Sequence, residues 1–444
     1  MKHTSYILYL LVTLMGVSFT ACDKYLDITP VGKVIPTTAE EYRSLLTEAY
    51  STVPSDRGLA TFRSDEPELD ATMSTYDIDS YLDIYTWNDA TPGENTAAFK
   101  WRQFYHVLFI ANYVIENERN ITTGTQAEIS QLIGEAYMLR AYMHFTLANL
   151  HAPAYTKCTP ASTKAVPLKL DSDVERVLSR STLEEVYSSV CADLDKAAGY
   201  LNVDEWPAGY NYRFNTLSVD ALRSRVALYM GDWNESLAAA RRVLAVKSEL
   251  TNVSTVLPNV YNSTENIVAL EQVMTAAYAK TININPDFYR LYTSADQRRR
   301  TYFKAVTSSI INLTKGGSNT YSCTLRTGEM YLNAAEAACH AGDLESARTY
   351  LLTLQKARFT AAGYTAKEAA VNAMSSTELL EEILTERARE LAFEGHRWFD
   401  LRRTSQPRLE RTFKGRTYVL EEGDTRYTIP IPSEAIQANP SLAD

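Results

Sequence analysis

No run in this chain is long and apolar enough to cross a bilayer as a helix, which takes about 20 residues; the longest, Ile7–Phe19, falls short of that. A long Lys/Arg run is also missing, and the formal charge is −10, a poor match for nucleic acid or an anionic membrane surface. The six histidines (His3, His106, His144, His151, His340, His396) are scattered and form no HExxH or other ligand spacing. There is no GxSxG, no P-loop and no GxGxxG, so the common signatures of hydrolases and nucleotide binders are absent. The five cysteines show no CxxC and no metal-finger pattern. These gaps leave no expected catalytic residue, metal or cofactor. The Asp-rich stretch 77–83 lacks the spacing of a calcium hand and reads as a solvated loop.

What is present begins with the leader. Lys2 and His3 precede the apolar run, small residues Ser18, Thr20 and Ala21 close it, and Cys22 follows. This is the layout of a signal peptide, and a small residue directly before Cys resembles a bacterial lipoprotein processing site. Residues 1–21 are therefore expected to be removed and Cys22 to carry lipid. Each buried CH₂ of an acyl chain adds about 0.8 kcal/mol of membrane affinity, so several chains hold firmly. An exported body would permit disulfides among Cys158, Cys191, Cys323 and Cys339, whose pairing the spacing leaves open.

Residues 22–37, with Pro30, Gly32 and Pro36, read as an extended tether, and 38–444 as a single, mainly α body. Capping boxes at Thr38/Glu41, Ser181/Glu184 and Ser375/Glu378 precede amphipathic runs. Helices are expected near 38–50, 97–118, 126–150, 181–201, 216–230, 233–247, 327–341, 344–358 and 376–396. Ala227–Trp233 and Ala338–Leu344 share one plan: a helix ending in Gly-Asp, an apolar residue, then a second helix. Glycine can take the left-handed conformation that stops the first helix and Asp can cap the second. This is tetratricopeptide-like helix pairing, and such pairs must stack to bury their faces. Residues 128–150 with 181–201 supply a third candidate pair. Periodicity fails in two long insertions, 52–96 and 250–326, both rich in tyrosine, which makes up 29 residues of the chain. Near the end, Thr417–Leu420 and Arg426–Ile429 flank Glu-Glu-Gly-Asp and read as a short β-hairpin.

The densest motif runs from Ile383 to Arg403. Glu386, Glu390 and Glu394 fall on one helix face, with Arg387, Arg389 and Arg397 within reach of carboxylates. Gly395 can end the helix, and Asp400 can pair with Arg397 or Arg403. Glycosidase carboxylates flank a bond across a cleft, roughly 5–9 Å apart, so internal ion pairing is the expected use of these glutamates. The motif resembles the C-terminal signature of the SusD/RagB family of nutrient-binding lipoproteins. Cys22–Asp27, Trp101–Asn112, Glu135–Phe145, Tyr427–Pro432 and Asn439-Pro440 resemble further segments of that family.

The resemblance implies stacked tetratricopeptide-like pairs packed on an irregular ligand region, with 327–444 as the signature region. It implies an outer-membrane location, lipid-anchored and facing the exterior, and a SusC-type TonB-dependent transporter as partner. It further implies an oligosaccharide or peptide ligand and no enzymatic activity. Sugar binding calls for an aromatic plate rimmed by hydrogen-bonding groups. Candidates are Tyr85, Trp87 and Asn88 with Arg63 and Asp65, and Tyr289 and Tyr292 as a second plate. The competing expectation is that Trp87 and the tyrosines pack the insertions onto the helices. An envelope glycoside hydrolase or lyase, and a tetratricopeptide adaptor without small ligand, are the alternative functions.

Overall fold

The computed structural model describes residues 35–308 and 310–443; the leader and Cys22 lie outside them. Thr38 onward belongs to one compact unit. Its helices are α1 (Ala39–Ser51), α2 (Asp56–Thr61), α3 (Thr75–Tyr85), α4 (Trp101–Glu116), α5 (Gln126–His151), α6 (Leu183–Tyr200), α7 (Thr216–Met230), α8 (Trp233–Val246), α9 (Thr327–His340), α10 (Leu344–Lys356), α11 (Ala361–Ala373), α12 (Ser376–Glu390) and α13 (Arg397–Arg403), besides shorter turns. The fold is mainly α, as the periodicity requires. No described helix is long and apolar enough to cross a membrane.

Local chemistry sets the helix ends. Thr38 and Ser375 form the capping boxes expected of them, and Thr125 with Glu128 forms another. The box before α6 uses Thr182 and Glu185, one residue beyond Ser181 and Glu184, because this register buries Leu183. Gly231 and Gly342 sit at φ 77° and 81°, the left-handed region that a side chain would strain. Asp232 and Asp343 then accept from Glu235 N and Ser346 N, each at 3.1 Å. The hairpins α7–α8 and α9–α10 follow directly, and α8 packs on α9 to continue the stack. Helix α5 lies between α4 and α6 and is buried on nearly every face, so it is a core helix.

Among the described residues, four two-stranded antiparallel sheets accompany the helices: β1 (Pro67–Leu69) with β3 (Ile282–Ile284), β2 (Asn266–Val268) with β6 (Leu325–Arg326), β4 (Phe303–Ala305) with β5 (Ile311–Leu313), and β7 (Leu409–Phe413) with β8 (Arg416–Leu420). The C-terminal hairpin therefore pairs 409–413 with 416–420 around Lys414-Gly415. The expected partner 426–429 instead opens on a single 3₁₀ turn capped by Asp424. The stretch 77–83 is helix α3, not a loop, because Ile78, Tyr81, Ile84 and Tyr85 bury one face of it. All four described cysteines are free thiols.

The Ile383–Arg403 motif is a buried ion network. Glu390 accepts from Arg326 (2.7 Å), Arg358 (2.8 Å) and Arg298 (2.8 Å). Arg326 also holds Glu265 and Glu394, and Lys315 reaches Glu394 at 2.5 Å. These cations come from the second insertion and the α9–α11 region, so the network clamps the insertion onto α12. Helix α12 stops at Glu390, before Gly395, and Phe393 (φ 58°) and Gly395 (φ 71°) make a left-handed turn into α13. Asp400 pairs with Arg387 and Arg403, leaving Arg397 to Asp65.

Candidate ligand-binding site

The two insertions meet. The β1–β3 pairing joins them, and Phe62 and Tyr81 of the first stack at 4.7 Å with Tyr278 of the second edge-on to both at 5.7 Å. The aromatic residues singled out from the sequence lie in and around this junction, but four of the seven candidates are internal. Trp87 is 1% exposed, and its indole N–H donates to the Arg63 carbonyl at 3.0 Å. The Arg411 guanidinium lies 4.1 Å from the Tyr85 ring and 4.2 Å from the Trp87 ring. Arg63 is fully buried, gripped by Asp89 at 2.7 and 2.8 Å and lying over Trp398. Tyr292 is buried and donates to the Arg389 carbonyl at 2.8 Å. Arg63, Tyr85, Trp87 and Tyr292 thus present no face to a ligand. Their environment is the packing one: the rings hold buried arginines.

Three candidates reach the surface. Tyr289 is half-buried, with Arg299 4.7 Å from its ring centre. Asn88 donates to Asp83, whose carboxylate also gathers Gly93 N and Thr96 Oγ1 and so orders the loop after α3. Asp65 forms a two-pronged pair with Arg397, both contacts 2.7 Å. Burial alone would raise the Asp65 carboxyl; Arg397 outweighs it and holds it below the usual value.

Its neighbour Glu66 behaves oppositely. Fully buried, it accepts the Phe393 N–H at 2.7 Å, and burial pushes it up to about 8. A carboxyl raised in the folded state binds a proton that the unfolded chain releases near its ordinary value, so stability falls as pH rises toward 8. Glu66→Gln keeps an acceptor for Phe393 without the charge. Its expected effect is a gain of about 1–3 kcal/mol at pH 9 and little at pH 5, read from urea midpoints at the two pH values. An equal shift at both would remove Glu66 as the titrating group.

Open concavities lie elsewhere on the unit. One, about 880 Å³, is a groove whose apolar wall comes from Trp101, Tyr105 and Phe109 of α4, Val174 and Val177 of the loop before α6, and Leu442. Val174 and Val177 are both strongly exposed. Two smaller clefts, about 470 and 330 Å³, share Trp206 as a wall in the loop between α6 and α7. Sequence reasoning passed over this loop. Its signal was present in Trp206-Pro207-Ala208-Gly209-Tyr210-Asn211-Tyr212-Arg213, a ring-rich stretch inside an unusually long interhelical connection.

A stack of helical hairpins braced by a clamped irregular region defines a tetratricopeptide-like scaffold protein. A family model described as the SusD family matches residues 297–444, and one described as starch-binding associating with outer membrane matches 24–228. The SusD-like protein P38 of Formosa agariphila is 25% identical over 243 residues, covering 54% of this chain and 45% of that protein. The chain thus spans less than half the length of the curated relatives it matches. Among solved structures, a SusD superfamily protein from Bacteroides thetaiotaomicron is 23% identical with a TM-score of 0.76, over 91% of this chain and 99% of that one. Surface glycan-binding protein A from Bacteroides uniformis is 17% identical with a TM-score of 0.72, over 91% and 99%. The chain belongs to the SusD/RagB family.

Proposed function

We propose that this protein is a cell-surface lipoprotein that binds a nutrient glycan and passes it to a SusC-type TonB-dependent transporter in the outer membrane. The observation that carries this reading is the match of 24–228 to a model described as starch-binding and associating with outer membrane. The fold shared with a surface glycan-binding protein supports it. In this reading residues 1–21 are the export signal, Cys22 bears the lipid, 22–37 is the tether and 38–444 is the binding body. Tethering beside a transporter raises the local ligand concentration at its mouth. The half-buried Asp65, Asn88 and Tyr289 are the candidate contact residues that this reading retains.

Binding without chemistry is favoured over a glycosidase. Glu386 and Glu390 are fully buried and Glu394 nearly so, and each is held by arginine, with no freedom to face a substrate. The test is calorimetry of the mature chain against panels of oligosaccharides and of peptides, with each glycan checked for cleavage by chromatography. Saturable binding of an intact glycan is the expected result. Binding confined to peptides would redirect the ligand class, and released product would overturn the non-enzymatic reading. Cys22→Ala is expected to move the protein from the membrane to the soluble envelope fraction; unchanged fractionation would remove the lipid anchor.

A further inference from the structure

We propose that the Trp206 loop is a saccharide subsite, taking an oligosaccharide that bears an acid group and straddles the indole. This deepens the glycan-binding reading and rests on it. Residues 201–215 connect α6 to α7, and Trp206 is held in a fixed pose because its indole N–H donates to the Phe214 carbonyl at 3.0 Å. The same ring lines both clefts. Their volumes, about 470 and 330 Å³, fall within the roughly 300–1,000 Å³ of small-ligand sites.

The two clefts differ in chemistry. In the first, which Glu40 and the Thr125-bound Glu128 also line, two guanidinium groups approach Trp206. Arg43, 5.9 Å from the ring centre, is already committed: Glu135 grips it at 2.7 and 2.9 Å. Arg213 is not. It lies 5.1 Å from the Trp206 ring and 4.8 Å from Tyr210, its Nε donates to the Tyr212 hydroxyl at 3.3 Å, and no carboxylate among the described residues pairs with it. Ring stacking orients this guanidinium while leaving its two terminal nitrogens for a ligand. Such a fork suits a carboxylate or a sulfate, which can take two parallel hydrogen bonds.

The second cleft offers what a sugar ring needs. Trp206 and the exposed Tyr261 provide apolar plates, and the Asn262 and Asn266 amides line it with groups able to meet hydroxyls. Asn262 is exposed and makes no side-chain hydrogen bond among the described residues. One sugar residue fits against Trp206 in the second cleft, and its acidic neighbour reaches Arg213 in the first. Neither charge nor composition suits nucleic acid, since the chain is acidic overall.

The test is calorimetry of the full mature chain with matched probes: oligogalacturonate and its methyl ester, in which a methyl group replaces each charge, and a sulfated galactan oligomer beside its desulfated form. The expected result is preferential binding of one acidic member, uronate or sulfate. Trp206→Ala should weaken it by about tenfold or more. Arg213→Gln should bring the acidic and neutral probes to about equal affinity. Trp206→Phe retains a plate, so it should keep most of the affinity and guards against misfolding, with melting curves run on all three variants. Glycan binding unaffected by Trp206→Ala, or wild-type protein indifferent to the acid group, would overturn the subsite while leaving the family-level function intact. Wild-type protein that binds no glycan at all would remove the broader reading and the subsite with it.

Discussion

Glu390→Ala is expected to cost the folded body about 3–5 kcal/mol, among the largest losses available from one side chain. The reason lies in what it leaves behind. Glu390 is fully buried and its two oxygens meet Arg298, Arg326 and Arg358, all of them buried as well. Deleting the carboxylate strands part of three positive charges out of water, and desolvated charges without a partner are far costlier than the pair was worth. A hydrophobic swap of both partners tells the two effects apart. Glu390→Leu with Arg358→Met should recover part of the loss, because fewer charges then need hydration.

Added salt should change neither value much, since screening acts weakly on buried pairs. Urea midpoints at constant m-value give the measurement. A loss under about 1 kcal/mol would show the network to be hydrated and weak. The same network sets the acid limit. Burial alone would raise Glu386, but Arg298 and Arg389 outweigh it and hold it at about 2. Glu390 is held well below the ordinary value against its own burial, chiefly by Arg358 and Arg326. A carboxyl depressed in the folded state contributes stability that is present above its unfolded value and lost as pH falls through its folded one. The clamp is therefore expected to persist through mild acid and to fail as the pH approaches 2.

This network was legible as a pattern before its partners were known. Glu386 and Glu390 share a helix face by spacing alone, which forecasts pairing. That Arg298, Arg326 and Arg358 supply the charges depends on chain segments distant in sequence. Helix ends were legible for the same local reason. A Thr38/Glu41 box or a Gly231-Asp232 stop needs only neighbouring residues. The register error at α6 marks the limit of that logic. Ser181-Thr182 followed by Glu184-Glu185 offers two equivalent boxes, and the burial of Leu183 selects between them. The hairpin error is similar, because Thr417–Leu420 is a strand in either pairing and only tertiary packing chooses Leu409–Phe413 as its partner. Helices α2 and α3 were hidden by polar composition, and α11 went unread because only Val371 of its residues is buried.

The aromatic cluster failed for a deeper reason, and Trp87→Ala puts it to the test. Rings among Asp, Asn and Arg are what a sugar site requires, and also what holds a buried arginine. The deciding residue, Arg411, lies 326 positions along the chain from Tyr85. It is buried without a carboxylate partner among the described residues, and burial pulls it down to about 10. It donates to the carbonyls of Phe62, Tyr85 and Ser64, and the Tyr85 and Trp87 rings supply its remaining environment. Truncating Trp87 opens a cavity and uncovers that charge, so the expected loss is about 3–5 kcal/mol. Glycan affinity of the folded fraction should stay near the wild-type value, because no face of the indole meets solvent. Thermal melts and calorimetry on the same preparation separate the two quantities. A Trp87→Ala protein that melts normally but no longer binds glycan would return Trp87 to the ligand surface and displace the packing role assigned to it.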